Sequence, residues 1–192
     1  DAAGVSSEGL LDFLHILSEQ EAKIVDSQDP YVRSHPMTTD RIKFLQNHIT
    51  KSPHTKSQTP QNLRIMHGRM QGKLKGFINP PARTLNEFAP DDPTIGAKYA
   101  RAVAFKRLHR IDEALAIMDA LTSASPEDPF FHELTGDILQ DAGRIRASIT
   151  PYRKAVRILP WAALIRTNLA QSLLELNEPT ADDEALTHLA NA

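Results

Sequence analysis

The chain of 192 residues contains no cysteine. Disulfides and thiolate metal cages are therefore excluded, while the compartment stays open, because reducing and oxidising surroundings both tolerate such a chain. Aromatic residues are sparse at 6%, with a single tryptophan, Trp161, so a core has to be built mainly from aliphatic side chains. No run approaches the roughly 18 apolar residues that a membrane-spanning helix requires. Acidic residues are missing between Asp40 and Glu87, where nine of the 22 basic residues fall. The other 13 face 24 acids, so flanks of net charge −11 enclose a basic middle, although the whole chain carries only −2. That total gives no gross pull towards nucleic acid. Neither a secretory signal nor an initiator methionine opens the chain ("DAAGVSS"), which is the expectation for a piece of a longer protein.

Alanine and leucine are plentiful, and the apolar spacing is helical almost throughout, which predicts an all-α fold. Leu10, Leu11, Phe13, Leu14 and Leu17 form the apolar face of a first helix over residues 6–25, capped by Ser6 or Ser7. In "SHPMTTDRI" Pro36 forces His35 towards an extended conformation, and Thr38 or Thr39 caps a short helix holding Ile42, Leu45 and Ile49. Residues 51–62 are polar, with two prolines, and read as a linker or mobile loop. Leu63, Met66, Met70, Leu74 and Phe77 then follow one stripe, with Arg64, Arg69, Lys73 and Lys75 off it. This segment, 63–78, reads as an amphipathic helix docked on its neighbours; a second reading lays it on an anionic membrane surface as a peripheral contact.

The last hundred residues carry an internal period. The step from Pro126 to Pro160 is 34, the period of tetratricopeptide repeats. Gly136, Leu139, Gly143, Ile145, Tyr152 and Ala155 take small, large, small, large, aromatic and small positions. Ala102, Phe105, His109, Ile111, Met118 and Leu121 stand at the same places one period earlier. Small residues let paired helices approach, large ones fill the gaps, and a glycine turns the corner. Lys98 and His132 replace the usual aromatic of the first helix, and Ser148 stands where alanine is typical. A third unit from Ala163 has its turn at Asn177, and its second helix is predicted to need an insertion of about three residues before Ala185 regains register, with Leu189 on the pattern. The predicted organisation is 1–50, 51–62 and 63–192, with repeats at about 95–128, 129–162 and 163–192. The 63–78 helix would cap the array.

None of the eight histidines forms an H-x-x-x-H pair, and no H-E-x-x-H, P-loop or nucleophile elbow is present. The chain by itself thus shows no assembled catalytic centre. Helix-start chemistry explains Pro36, the threonines and Asp40, but it requires neither His35 nor Arg41.

Here a resemblance enters. "YVRSHPMTTDRI" resembles the "THP-x-T-x-x-RI" segment of zinc metallopeptidases of the CAAX prenyl protease and HtpX-like family, whose soluble envelope members carry tetratricopeptide tails. The order of a helix after "AG", the His-Pro-Thr-Arg motif, a basic helix, "PPART" and repeats is similar over essentially the whole chain. The resemblance implies a helical peptidase tail (1–50) followed by a short repeat solenoid, belonging to a zinc-dependent endopeptidase of the bacterial periplasm or cell envelope. Its zinc ligands would lie upstream of Asp1, so no zinc is expected bound to this chain by itself, His35 being the one position here that could contact the metal, and the chain should not hydrolyse peptides alone. The only auxiliary catalytic positions implied here are His35, near the metal or substrate, and Arg41, bracing the loop. The repeats would bind protein or peptide partners along the concave face. The resemblance places Tyr99, Val103, Lys106 and Arg107 there in the first unit, Glu133, Asp137, Gln140 and Asp141 in the second, and Thr167, Gln171 and Leu174 in the third. The alternative from a different class is a non-enzymatic repeat scaffold that mediates protein–protein interaction.

Overall fold

The computed structural model describes residues 4–23 and 38–192, and every regular element among them is helical. The chain forms two compact units, Asp1–Arg64 and Ile65–Ala192. In the first, α1 (Glu8–Lys23) packs on α2 (Thr38–Ile49), burying Leu14 and Leu45. Leu10, Phe13, Ile16 and Phe44 remain exposed. The segment after α2, expected to be a linker, is tied by local bonds: Thr55 Oγ1 donates to the carbonyls of Ile49 (2.6 Å) and Ser52 (3.1 Å). Such short polar bonds give a segment without apolar residues its local shape.

The second unit is built from paired helices. It holds most of α3 (Gln61–Ile78), then α4 (Pro81–Glu87), α5 (Ile95–Arg107), α6 (Ile111–Ala124), α7 (Pro129–Asp141), α8 (Ile145–Ile158), α9 (Ala163–Leu174) and α10 (Pro179–Ala190). The starts of α5, α7 and α9 (Ile95, Pro129 and Ala163) are one period apart, and so are those of α6, α8 and α10 (Ile111, Ile145 and Pro179). At the corner of each pair one residue takes positive φ: His109 (55°), Gly143 (71°) and Asn177 (53°), again at the same interval. Glycine adopts this conformation without a Cβ penalty, and asparagine and histidine tolerate it better than most residues do. Pro126 and Pro160 each follow the end of a pair at equivalent places, two residues beyond Ala124 and Ile158. Pro81, Pro129 and Pro179 instead open helices, where the missing N–H is harmless. Thr94 and Asp128 cap α5 and α7, their side chains accepting from the N–H groups of Ala97 (3.3 Å) and Phe130 (3.0 Å).

Packing follows the small-for-large rule. A Cβ on Gly136 would lie 2.6 Å from the Tyr152 ring, so only glycine fits that approach. Ser148, in an alanine slot, is fully buried and satisfied by the Ile145 carbonyl (2.8 Å) and Ser172 Oγ (3.1 Å). One apolar cluster joins α5, α6 and α7 around Tyr99, Met118, Phe131 and Leu134; a second joins α8, α9 and α10 around Tyr152, Leu169 and Leu173. Each fully buried side chain of this size contributes about 1.5–3 kcal/mol of transfer free energy.

Two expectations are corrected. The second helix of the third unit needs no insertion: α10 begins at Pro179, one period after Ile145. Its buried alanines, Ala181 and Ala185, fall one position short of a full period after Ser148 and Tyr152, so the helix is turned by one residue, and Leu189 is exposed rather than packed. The helix from Leu63 is docked, but not by its apolar stripe. Gly72 and Gly76 face α5, where a Cβ on Gly72 would drive into the Gly96 backbone and one on Gly76 would press on Val103 and Ala100. Met66, Met70, Leu74 and Phe77 point away and stay 42–63% exposed. Glycines spaced by four make a flat face on which another helix backbone can rest, and this closeness decides which side turns inward.

Candidate functional site

The first helices of the three pairs, α5, α7 and α9, share a face away from α6, α8 and α10, and α3 lies across its beginning. Arg69 of α3 reaches α7, where its guanidinium binds both carboxylate oxygens of Asp128, one of them at 2.8 Å. It also sits 4.5 Å from the centroid of Phe131 and 5.2 Å from that of Phe130. Lys73, one turn on, stands 5.6 Å over Phe130 and 3.9 Å from Glu133 Oε2. The other end of α3 is clamped from below. Fully buried Thr84 donates to the Lys75 carbonyl (3.1 Å), and Arg107 Nη1 donates to the carbonyls of Gly76 (2.8 Å) and Asn79 (2.5 Å). Unpaired carbonyls at a helix C-terminus attract such a cation.

Beyond α3 the face is open and polar. Lys106 Nζ pairs with Asp141 Oδ2 at 2.7 Å. The Tyr152 hydroxyl rises from α8 to donate to Asp137 Oδ1 (2.6 Å) and lies 2.9 Å from Gln140 Oε1. Asn168 of α9 donates to the same Asp137 oxygen (3.4 Å). Glu175 Oε1 accepts from Gln140 (3.4 Å) and Gln171 (3.1 Å), linking the second unit to the third. Glu133 is 5% exposed, and its Oε2 receives no hydrogen bond among the described residues. Burial pushes the Glu133 carboxyl above its ordinary value, Lys73 opposing and Asp137 adding to the shift. Burial likewise raises Asp137, against the Tyr152 hydrogen bond and Lys106. The phenol of Tyr152 is pushed up by burial and then by Asp137. Two carboxyls held above the usual range beside a protonated phenol favour ligands that bring positive charge or donors.

The residues expected on a concave face therefore separate into groups. Lys106, Glu133, Asp137, Gln140, Asp141 and Gln171 converge on this network. Tyr99, 2% exposed against Phe131, and Val103, fully buried beside Gly76, lie beneath α3 and are closed to a peptide. Arg107 is occupied at the end of α3. Thr167 donates to the Ala163 carbonyl (3.0 Å), and Leu174 is exposed. Reading the sequence missed Arg69, Lys73, Asn168 and Glu175. Glu175 was within reach, since it stands one full period after Asp141. The α3 residues lie outside the period and gave no such signal.

His35 lies outside the described residues. Arg41 lines a cleft of about 380 Å³ in the first unit with Leu10, Leu14, Asp40, Phe44 and Leu45. Among the described residues no group of three or more histidine, aspartate or glutamate side chains is gathered so that it could hold a metal ion. No described helix is long and apolar enough to cross a membrane. Compared with known proteins, the chain matches no family model and no curated sequence.

Proposed function

We propose that the second unit is a tetratricopeptide-type peptide- or protein-binding module, and that the chain is the C-terminal, partner- or substrate-binding region of a bacterial zinc-dependent metalloendopeptidase. The observation that carries the binding reading is the polar network shared by α5, α7 and α9. It joins three successive units into one surface through Lys106–Asp141, Asn168–Asp137 and Gln140–Glu175. Side chains that bond across units rather than within them fix the relative placement of the helices, and a preformed surface costs less to occupy. A photoreactive side chain at Gln171 should cross-link a bound polypeptide, and one at Arg157, exposed on α8, should not. Equal yields from the two positions would remove the groove from consideration.

The peptidase reading rests on the His35-Pro36 segment with Arg41 and on the order of the helices that follow. Its test has two parts. Residues encoded upstream of Asp1 should include an H-E-x-x-H pair, and His35→Ala in that full-length product should change proteolysis while moving the melting temperature by no more than a degree or two. An unrelated upstream domain favours the second reading, a repeat scaffold without peptidase activity, which is supported by the compactness of Ile65–Ala192 as a unit of its own.

A further inference from the structure

Two features of the second unit stand open among the described residues. The first is the outer side of α3. Met66, Met70, Leu74 and Phe77 recur at spacings of four, four and three, and all are exposed. Lys73, whose ammonium stands over Phe130 and near Glu133, lies three residues from Met70 and four from Phe77, so the stripe borders the side of α3 that carries Lys73. From Met66 to Phe77 it extends about 16 Å at 1.5 Å per residue. Methionine-rich strips of this kind adapt to apolar partners of varied shape.

The second feature is the charge beside that stripe. Glu133, Asp137, Asp141 and Glu175 line the shared face, whereas among the described residues only Lys73 and Lys106 form ion pairs with them. Asp137 and Glu175 are satisfied by neutral donors alone. Among the described residues no donor reaches Glu133 Oε2, in a residue only 5% exposed, and the ammonium paired with it stands at 3.9 Å, beyond hydrogen-bond reach. Of the cations of α3, Arg69 is committed to Asp128 and Lys75 to Glu87, while Arg64 is exposed near the start of the helix. On the α7 and α9 side, the four carboxylates outnumber the two lysines paired with them, so that side is net acidic. An anionic lipid surface would be repelled there; a cationic partner would be attracted.

We propose that the stripe of α3 and the carboxylates of α7 and α9 together form a seat for a cationic amphipathic helix. Its apolar side lies on Met66, Met70, Leu74 and Phe77, and its lysines or arginines reach Asp137 and Glu175. This rests on the groove reading above and narrows it, since an extended peptide has no use for a helical stripe, whereas a helix of three or more turns meets both features at once.

The test uses the full chain and three labelled synthetic peptides, each long enough for about five helical turns. One places leucines along one helical face and lysines elsewhere. The second replaces every lysine by glutamate. The third keeps the first composition but carries two central prolines that prevent a helix. Fluorescence anisotropy should show the lysine helix binding at least about tenfold more tightly than either control, and the gap over the glutamate peptide should shrink as salt rises. M70S/F77S and D137N/E175Q should each weaken it by about five- to tenfold with circular dichroism unchanged. Equal binding of the proline peptide overturns the helical seat but leaves the groove reading standing, while failure of all three peptides removes both. Insensitivity to both double variants also overturns the proposal. So does a dimer that dissociates in M70S/F77S and excludes the peptide, which would give the stripe to a second copy. Stripe-dependent binding to phosphatidylglycerol vesicles, stronger than to the peptide, would assign the surface to lipid instead.

Discussion

Glu133 shows what a single side chain reveals in this chain. Its carboxyl is raised by burial, so the folded state holds the proton more tightly than the unfolded state does. That contribution to stability is complete below the ordinary value of 4.5 and is lost as pH rises through the raised folded value. The charged groups facing it are Lys73 and Arg69 from α3 and Asp137 from its own helix. In E133Q, the fall in melting temperature on going from acid to neutral pH should therefore be shallower than in the parent. Superimposable pH profiles would mean that Glu133 is effectively solvated. The glycines of α3 give a sharper contrast. A Cβ on Gly68 meets nothing, so G68A should stabilise by up to about 1 kcal/mol through helix propensity. Gly72 rests on the Gly96 backbone, and G72A should destabilise by about 1–3 kcal/mol. Denaturant midpoints measure both, and equal effects of one sign would contradict the helix contact.

Between elements, the tie from α3 to α7 runs through Arg69 and Asp128, side chains 22% and 18% exposed. A double-mutant cycle of R69A and D128A should give a coupling of about 1–3 kcal/mol, because the pair is bidentate and shielded by Phe130 and Phe131. R69K keeps the charge but loses the fork and the ring stacking, so it should recover less than half of that coupling. A coupling near zero would reduce the tie to a surface pair. At this scale the sequence was readable in some places and silent in others, for physical reasons. The repeat period announced the corners at His109, Gly143 and Asn177, because each corner imposes a backbone requirement on one residue. It misjudged α10, where Ala181 and Ala185 fit small slots in more than one register, and alanine cannot by itself say which. The stripe of α3 looked like a core face because hydrophobicity usually marks the buried side. The glycines at 72 and 76 carried the competing signal, since what fixed the orientation was closeness of approach rather than apolar area. Of the candidate site, Gln171 and Glu175 could be found by adding one period to Asp137 and Asp141, but Asn168 follows the core residue Leu134 by one period, and Arg69 and Lys73 arrive from outside the array.

At the scale of the molecule, stability in an array of pairs comes from neighbours. The α7–α8 pair has a pair on either side, whereas α10 meets only α9 extensively and leaves Leu186 and Leu189 exposed. Amide hydrogen exchange should therefore be slowest in α7 and α8 and faster in α9 and α10, with peptide-level mass spectrometry as the measurement. Uniform protection from α5 to α10 would indicate a single cooperative block instead. The corners have one further consequence. Because all three bends recur at one interval, removing residues 110–143 would splice His109 to Arg144 with the same left-handed residue before the same kind of helix start. Loss of one whole module should thus leave the helix starts and corners in register, whereas an indel of any other length would rotate everything downstream of the splice.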